Sequence, residues 1–225
     1  MSWVDKICYN KENTDLGVIR MMDTSIEYRS IIMRCDKINH FAYRKIPENV
    51  IIDYYEDGME KVWVDIQKAA GEFSSKSNSE ATCYFIDRFG NQKELLKERC
   101  LFLREKTTNQ SIGTCMAWNA KKGSASIPIL HWLAISDTFS GQGFARILIT
   151  LILQIFERQN PDEPIYLHTQ PSSYQAIKLY QDFGFHICRR DTYGIAINEY
   201  SHAIKVLEKV MKKEVFEALV SNSVE

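Results

Sequence analysis

Two glycines stand between a strand-like run and a helix-like run, and this junction constrains the chain more than any other stretch. Residues 129–135 predict a strand, residues 145–158 predict a helix, and the letters GQGFA (141–145) lie between them. Glycine at such a junction costs backbone entropy, so its use there needs a reason. One interpretation is an ordinary turn. The other is a phosphate-binding loop, in which backbone N–H groups at a helix N-terminus meet an anion.

Two well-known glycine-rich phosphate fingerprints do not fit this loop. No Gly-Lys-Ser or Gly-Lys-Thr follows the glycines, which excludes a Walker loop. The pattern G-x-G-x-x-G is not completed, and no acidic residue follows on a second strand at the distance that a dinucleotide site needs. A phosphate role therefore needs support from elsewhere in the chain.

The predicted order of elements favours an α+β fold. A strand and two helices come first, three strands follow, and helix, strand, helix and strand alternate after the glycines. Adjacent strands beside helical crossovers are typical of a mixed sheet flanked by helices. We predict an N-terminal extension (1–45) packed on the domain, the domain itself (46–198), and a C-terminal extension (199–225) that adds one helix.

Composition and charge limit the classes of partner and the cellular compartment that the sequence predicts. Lys and Arg number 28 against 29 Asp and Glu, and no basic block stands out, so the sequence predicts no nucleic-acid binding. The six cysteines are scattered without a C-x-x-C pair or metal-ligand spacing, so we expect reduced thiols and no metal site. The start of the chain lacks the pattern of a secretion signal, and the longest apolar run (147–156) is too short for a bilayer. We therefore expect a cytoplasmic protein without membrane association, and the sequence leaves open whether it forms a homodimer.

A second motif changes the interpretation of the glycines. The segment LHTQPSSYQAIKLYQDFGF places four residues at A-x-x-x-Y-x-x-x-G-F spacing: Ala176, Tyr180, Gly184 and Phe185. Together with the strand, the glycines and the following helix, this spacing resembles the GCN5-related N-acetyltransferase (GNAT) superfamily. The resemblance covers about residues 100–187 and extends to the strand and helix that start near residue 49.

The resemblance implies a mixed, mostly antiparallel central sheet flanked by helices, with acetyl-CoA as cosubstrate. The acetyl-CoA motif of the family, Q/R-x-x-G-x-G/A, is matched by residues 140–145. Two positions depart from the family pattern. Ser140 stands where Gln or Arg is usual, and Ser173 stands where the second motif frequently has Asn.

The resemblance also assigns residues to the cofactor. Main-chain groups near Leu133 and Ile135 are implied to bind the pantetheine arm, and an N–H near Leu133 to stabilise the oxyanion. The N–H groups of the glycine segment are implied to face the pyrophosphate, aided by the helix dipole. Arg146 either adds a charge to the phosphate or is a solvated helix residue. The full set is Leu133, Ala134, Ile135, Gly141, Gln142, Gly143, Phe144, Ala145, Arg146 and Ser173.

Tyr180 and His131 are the candidate catalytic residues. The resemblance places Tyr180 at the general-acid position, where a neutral phenol gives a proton to a departing thiolate. The alternative is an aromatic side chain that packs on the sheet. His131 resembles the base-bearing strand position of the arylalkylamine acetyltransferases, and strand alternation puts it on the same face as Leu133 and Ile135. The alternatives are a core histidine and, as the base, Glu72.

These residues together imply an acyl-CoA-dependent N-acyltransferase. Its expected reaction moves acetyl from acetyl-CoA to a primary amine by direct attack, through a tetrahedral intermediate, and the acceptor is a small molecule or a peptide. The alternative is a non-catalytic acyl-CoA-binding or regulatory module with the same fold, which the departures at Ser140 and Ser173 support. The segments 72–80 and 188–200 show no charged cluster that selects one acceptor.

Overall fold

Seven strands in the described part of the chain form one sheet. The structure is a computed structural model that describes residues 23, 25–159 and 161–225, so residues 1–22 and residue 24 of the predicted extension lie outside it. The strands are β1 (Ile31–Cys35), β2 (Val50–Tyr54), β3 (Cys100–Glu105), β4 (Ser111–Lys122), β5 (Ala125–Ile135), β6 (Ile165–Thr169) and β7 (His186–Ile187). The helices are α1 (Glu60–Ala69), α2 (Asn78–Phe89), α3 (Lys93–Arg99), α4 (Phe144–Gln159), α5 (Tyr174–Asp182), α6 (Tyr200–Val210) and α7 (Lys213–Ser221).

The sheet is mixed and mostly antiparallel, as predicted. Its strand order is β2-β3-β4-β5-β6-β1-β7, and β5 with β6 is the parallel pair among the described strands. The predicted boundary at residue 45 is wrong for β1, because this strand lies inside the sheet. Ile31 pairs with Thr169 of β6, and Met33 pairs with Ile187 of β7. Strand β1 is therefore part of the sheet and not of a separate extension.

Helices cover both faces of the sheet. Helices α4 to α7 bury side chains such as Leu148, Ile177 and Leu207 on one side, here named the α4 face. Helices α1 to α3 bury side chains such as Trp63 and Phe85 on the other side, the α1 face. Both layers follow from helices whose apolar residues recur at the helical period. No helix among the described residues is long and apolar enough to cross a membrane.

The predicted single C-terminal helix is two helices. Helix α6 ends at Val210 and α7 begins at Lys213. In one continuous helix, Leu207 and Leu219 would point about 120° apart. The break lets both leucines reach the core, where they are 0% and 1% exposed. The chain then returns to the sheet, since the N–H of Val224 donates to Ile187 O (2.9 Å).

Two glycines in equivalent backbone conformations allow a test of how tightly β1 is packed. Gly184 (φ +98°) and Gly58 (φ +99°) both adopt the left-handed region, but only at Gly184 would a Cβ collide, 2.4 Å from Lys37 O, whereas Gly58 has nothing within 4 Å. We expect Gly184→Ala to destabilise the fold more than Gly58→Ala, by about 1–3 kcal/mol, because backbone must move. Urea unfolding measures both variants, and equal losses would contradict the close approach.

Candidate active site

A bulge in β5 shapes the centre of the candidate site. His131 pairs with Met116 and Ala134 pairs with Thr114, so Trp132 and Leu133 stand opposite the single residue Cys115 of β4. Trp132 has φ +51°, a conformation that bulky residues rarely adopt. An extra residue of this kind interrupts strand alternation and turns the side chains that follow it. The two residues that form it, Trp132 and Leu133, are called the β5 bulge below.

The β5 bulge overturns one prediction. His131 lies with its partner Met116 and with Ala134 on the α1 face, whereas Leu133 and Ile135 pack on the α4 face. The predicted shared face of His131, Leu133 and Ile135 is therefore wrong. The reason is that strict alternation assumes one residue per position, and the bulge adds one between His131 and Leu133.

Strands β5 and β6 separate beyond the bulge, which opens a cleft in the sheet. They are paired at Ile129 and Tyr166 alone among the described residues, while β5 continues to Ile135 and β6 continues to Thr169. Strand β6 pairs with β1 over its whole length instead. The edge of β5 that borders this cleft therefore offers main-chain groups without a strand partner, and such groups can bind the amides of a ligand.

The glycine loop (140–143) directly precedes α4, and the short helical turn Asp137–Phe139 connects it to the end of β5. Gly141 and Gly143 have φ +75° and +86°, and a Cβ at either position would have no atom within 4 Å. Glycine is therefore required here by backbone conformation and not by crowding. The N–H of Arg146 donates to Gly143 O (3.1 Å), while the N–H groups that open α4 have no acceptor inside the helix. Together with the helix dipole, they form an arrangement that binds anions.

The two sequence motifs meet in one cavity of about 170 Å³. Six predicted cofactor residues line it: Ile135, Gly141, Gly143, Phe144, Ala145 and Arg146. Ala176 of the second motif lines it from α5. Residues 131–185 thus bring a strand end, a helix N-terminus and a facing helix around a single space.

The other predicted cofactor residues are not among those that line this cavity. Leu133 and Ala134 lie in β5 on opposite faces of the sheet. Gln142 is exposed, and its amide donates to Thr138 O (3.3 Å). Ser173 ends the short helix Pro171–Ser173, where its N–H donates to Gln170 O (2.9 Å).

Arg146 is already paired. Its guanidinium forms an ion pair with Asp182 of α5 and lies 5.9 Å from the centre of the Phe183 ring. The pair links α4 to α5 at the cavity wall. Because Asp182 compensates the charge, Arg146 offers a phosphate less attraction than a free arginine would.

Ser140, which the sequence analysis named as a departure from the motif, also lines the cavity, and sequence reasoning missed three further lining residues: Phe139, Gln175 and Leu179. Gln175 and Leu179 lie four residues apart on α5, beside Ala176. The helical period, extended from Ala176, would have indicated Leu179 three residues later, and Gln175 lies four residues before Leu179 on the same face.

Tyr180 lies on α5 and is buried against the α4 face of the sheet. Its side chain is 7% exposed, and its ring meets Phe185 edge-on at 6.0 Å. Burial raises the pKa of Tyr180 well above its ordinary value, and the nearby Cys115 thiol adds to the effect. No hydrogen bond from its hydroxyl to another described residue is present. Tyr180 is therefore a neutral phenol below the β5 bulge, with its proton available to a ligand.

His131 is half-buried on the α1 face, between the rings of Phe89 (6.1 Å) and Trp132 (5.5 Å). Desolvation lowers its pKa to about 3, and the neighbouring His168 and Arg88 contribute in the same direction. The imidazole is therefore neutral at neutral pH, and it binds a proton weakly. His131 and Tyr180 approach the cleft from opposite faces of the sheet.

A larger groove, of about 750 Å³, lies along the edge strand β2. Two of its polar side chains pair with each other: Arg104 Nε and Nη2 donate to the two oxygens of Asp53, at 2.6 and 2.9 Å. The groove contains neither motif. Among the described residues, no group of three or more His, Cys, Asp or Glu side chains is placed to hold a metal ion.

Comparison with known proteins gives one family and several similar folds. The model of the acetyltransferase (GNAT) family matches residues 59–185. No curated protein matches the sequence significantly. A GCN5-related N-acetyltransferase from Sphaerobacter thermophilus is 16% identical, with a TM-score of 0.51, and the match covers 74% of this chain and 50% of that one.

Two further solved structures have the same fold. An acetyltransferase of the GNAT family from Colwellia psychrerythraea is 14% identical, with a TM-score of 0.52 and coverage of 72% of this chain and 53% of that one. A tandem GNAT protein from the clavulanic acid biosynthesis pathway is 12% identical, with a TM-score of 0.50 and coverage of 73% and 51%. The matched regions thus span about half the length of these structures.

The lowered pKa of His131 predicts how stability depends on pH. Between about pH 3 and the ordinary value of 6.5 the unfolded chain binds a proton at His131 that the folded chain does not. Stability due to this residue is therefore full above pH 6.5 and is lost as the pH falls towards 3. We expect the wild-type protein to lose more unfolding free energy than His131→Asn between about pH 7 and about pH 5, as measured by urea unfolding. Equal losses of unfolding free energy in the two proteins would show that folding does not lower the pKa of His131.

Proposed function

Because the chain belongs to the GNAT acetyltransferase family, we propose that it is an acyl-CoA-dependent N-acetyltransferase. It transfers acetyl from acetyl-CoA to a primary amine of a small molecule or a peptide by direct attack. The observation that carries the proposal is the single cavity in which the glycine loop, the end of β5 and the second motif meet. This cavity joins an anion-binding helix terminus to a strand with open main-chain groups.

The residues of the cavity fit acetyl-CoA. The two left-handed glycines leave the N-terminus of α4 uncovered, so its N–H groups can hold the pyrophosphate. The open edge of β5, near Leu133 and Ile135, suits the amides of the pantetheine arm, which lie in an extended chain. When bound, acetyl-CoA supplies an activated thioester. A main-chain N–H at the β5 bulge then stabilises the developing negative charge on the carbonyl oxygen.

Tyr180 acts as the general acid in this proposal. As the new C–N bond forms, the amine nitrogen gives up a proton to solvent, and as the C–S bond breaks, the sulfur needs a proton. Burial keeps the Tyr180 phenol neutral, and the same low-dielectric surroundings disfavour a charged thiolate beside it. Transfer of the phenolic proton to the sulfur relieves that penalty.

His131 orients the acceptor and does not remove its proton. It borders the cleft from the α1 face, where its neutral imidazole can hydrogen-bond an acceptor nitrogen. A pKa of about 3 makes it a weak base, since the efficient general base has a pKa near the operating pH. In this proposal His131 therefore has a positioning role instead of the predicted base role.

Release of free CoA thiol, measured with the protein, acetyl-CoA and a panel of primary amines, tests the proposal. Thiol release that needs both the protein and an amine supports transfer. Stoichiometric binding of acetyl-CoA without transfer to any amine would favour the alternative, a non-catalytic acyl-CoA-binding or regulatory module. The departures from the family pattern at Ser140 and Ser173 are the features that support this alternative.

Gly143→Val tests the anion-binding loop. A β-branched residue is strained at φ +86°, so the loop must move away from the position that exposes its N–H groups. We expect acetyl-CoA affinity, measured by calorimetry, to fall by about tenfold or more. Gly123→Val is the matched control, because Gly123 is also left-handed (φ +59°) and equally uncrowded but lies in the β4–β5 turn. Equal acetyl-CoA affinity in both variants would identify the loop as an ordinary turn.

Tyr180→Phe tests the acid. The substitution keeps the ring that packs against Phe185 and removes the phenolic proton. We expect kcat to fall by about 10²–10⁴-fold while acetyl-CoA affinity and stability change little. An acyl donor with a more acidic thiol should recover part of the loss, because a better leaving group needs less protonation. Full activity in the variant would identify Tyr180 as a packing residue.

A further inference from the structure

Three aromatic side chains on the α1 face form a surface beside the β5 bulge. Phe73 and Trp132 stack at 5.6 Å with an interplanar angle of 18°, and Tyr84 contacts them at 5.3 and 5.7 Å. Each of the three is only partly buried. We call Phe73, Tyr84 and Trp132 the aromatic wall.

The stacked pair is held in a strained backbone. Phe73 and Trp132 have φ +53° and +51°, and they account for two of the three left-handed non-glycine residues in the described part of the chain. Strain of this kind persists only where surrounding contacts enforce it, and it concentrates at binding and catalytic sites. The stacking of Phe73 on Trp132 beside the cleft is therefore maintained by the surrounding contacts and not by the conformation of one loop.

Glu72 is tied to the same place by a buried glutamine. The N–H of Glu72 donates to Gln67 O (2.9 Å), and Gln67 Nε2 donates to Trp132 O (3.0 Å). Gln67 is 1% exposed, so this connection between the turn and the β5 bulge is fixed. Glu72 therefore stands beside the aromatic wall, one residue before Phe73.

The carboxylate of Glu72 has no cationic partner within the part of the chain that the structure describes. Desolvation raises its pKa. Lys68, one turn earlier, donates to Lys76 O (2.8 Å) and Asn78 Oδ1 (2.7 Å) instead. Within the described residues the Glu72 carboxylate forms neither an ion pair nor a hydrogen bond.

The other charges near the wall are arranged differently. Glu199, which like Glu72 acts on Tyr28, accepts the N–H of Ser30 (2.9 Å) and lies 3.7 Å from Arg29. Arg88 lies over the Tyr84 ring at 5.8 Å. Among the described residues, Glu72 is thus a carboxylate beside the wall without an ion-pair partner, and such a desolvated carboxylate favours a cationic ligand.

We propose that Glu72 and the aromatic wall bind the acceptor as a cationic amine with a flat apolar body. The carboxylate receives the ammonium group, and the rings of Phe73, Tyr84 and Trp132 pack against the body and attract the cation through their faces. Trp132 belongs to both the wall and the β5 bulge, so an amine bound here lies at the cleft. The claim that the bound amine is the acetyl acceptor rests on the proposed transferase function, whereas the claim of an amine-binding site does not.

A direct binding measurement tests the amine-binding site independently of the proposed transferase function. The full-length protein is titrated without acetyl-CoA, by calorimetry and by Trp fluorescence, with 2-phenylethylamine and with its neutral analogue 2-phenylethanol. We expect the amine to bind about tenfold or more tightly than the alcohol. Glu72→Gln should remove this preference while leaving the affinity for the alcohol and for acetyl-CoA unchanged. Glu98→Gln, which removes the same charge from the exposed surface of α3, is the matched control and should keep the preference.

The aromatic wall is tested by Phe73→Leu, which should weaken binding of the amine and the alcohol alike. Equal affinity of the wild-type protein for the two probes, no binding of the amine, or an unchanged preference in Glu72→Gln would overturn the inference. Amine binding that depends on Glu72 without any acetyl transfer supports the inference and contradicts only the proposed function. Acetyl transfer to amines at a rate that Glu72→Gln leaves unaltered would support the proposed function and contradict the inference.

Discussion

An extra residue in β5 sets the geometry of the candidate site. With Trp132 and Leu133 opposite Cys115, the strand turns out of register, and it shares only one pair with β6. A regular strand would continue along β6 and satisfy the main-chain groups that the cleft now leaves open. The left-handed conformation of Trp132 is unfavourable by itself, and the hydrogen bond from Gln67 and the stacking of Phe73 hold it in place.

The candidate residues at the β5 bulge lie in two different environments, one on each face of the sheet. Tyr180 lies in an apolar core on the α4 face, while His131 and Glu72 lie on the α1 face beside aromatic rings. In the proposed reaction, a ligand in the cleft meets the phenol of Tyr180 on one side of the sheet and a polar, partly exposed site on the other. The proposal thus places leaving group and nucleophile in separate surroundings, each with its own effect on proton affinity.

What the sequence could predict was local. The glycine loop and Tyr180 were identified because each belongs to a short pattern with fixed spacing, and strand and helix periods gave the α+β class. The face of His131 was predicted wrongly because no glycine or proline marks the bulge at Trp132. The break between Val210 and Lys213 has no such mark either. Glu72 could be named as a candidate, but its tie to Trp132 through Gln67 joins segments that no spacing rule connects.

The position of β1 gives the molecule an order of assembly. This strand carries Ile31, Ile32 and Met33, all fully buried, and both of its partners, β6 and β7, come near the end of the fold. As the chain leaves the ribosome, these apolar residues have no strand partner until β6 has emerged, and pairing over such a high sequence separation is slow to form. Strand β6, one wall of the cleft, gains its antiparallel neighbour in the same event. The cleft is therefore among the last features of the molecule to take shape during synthesis.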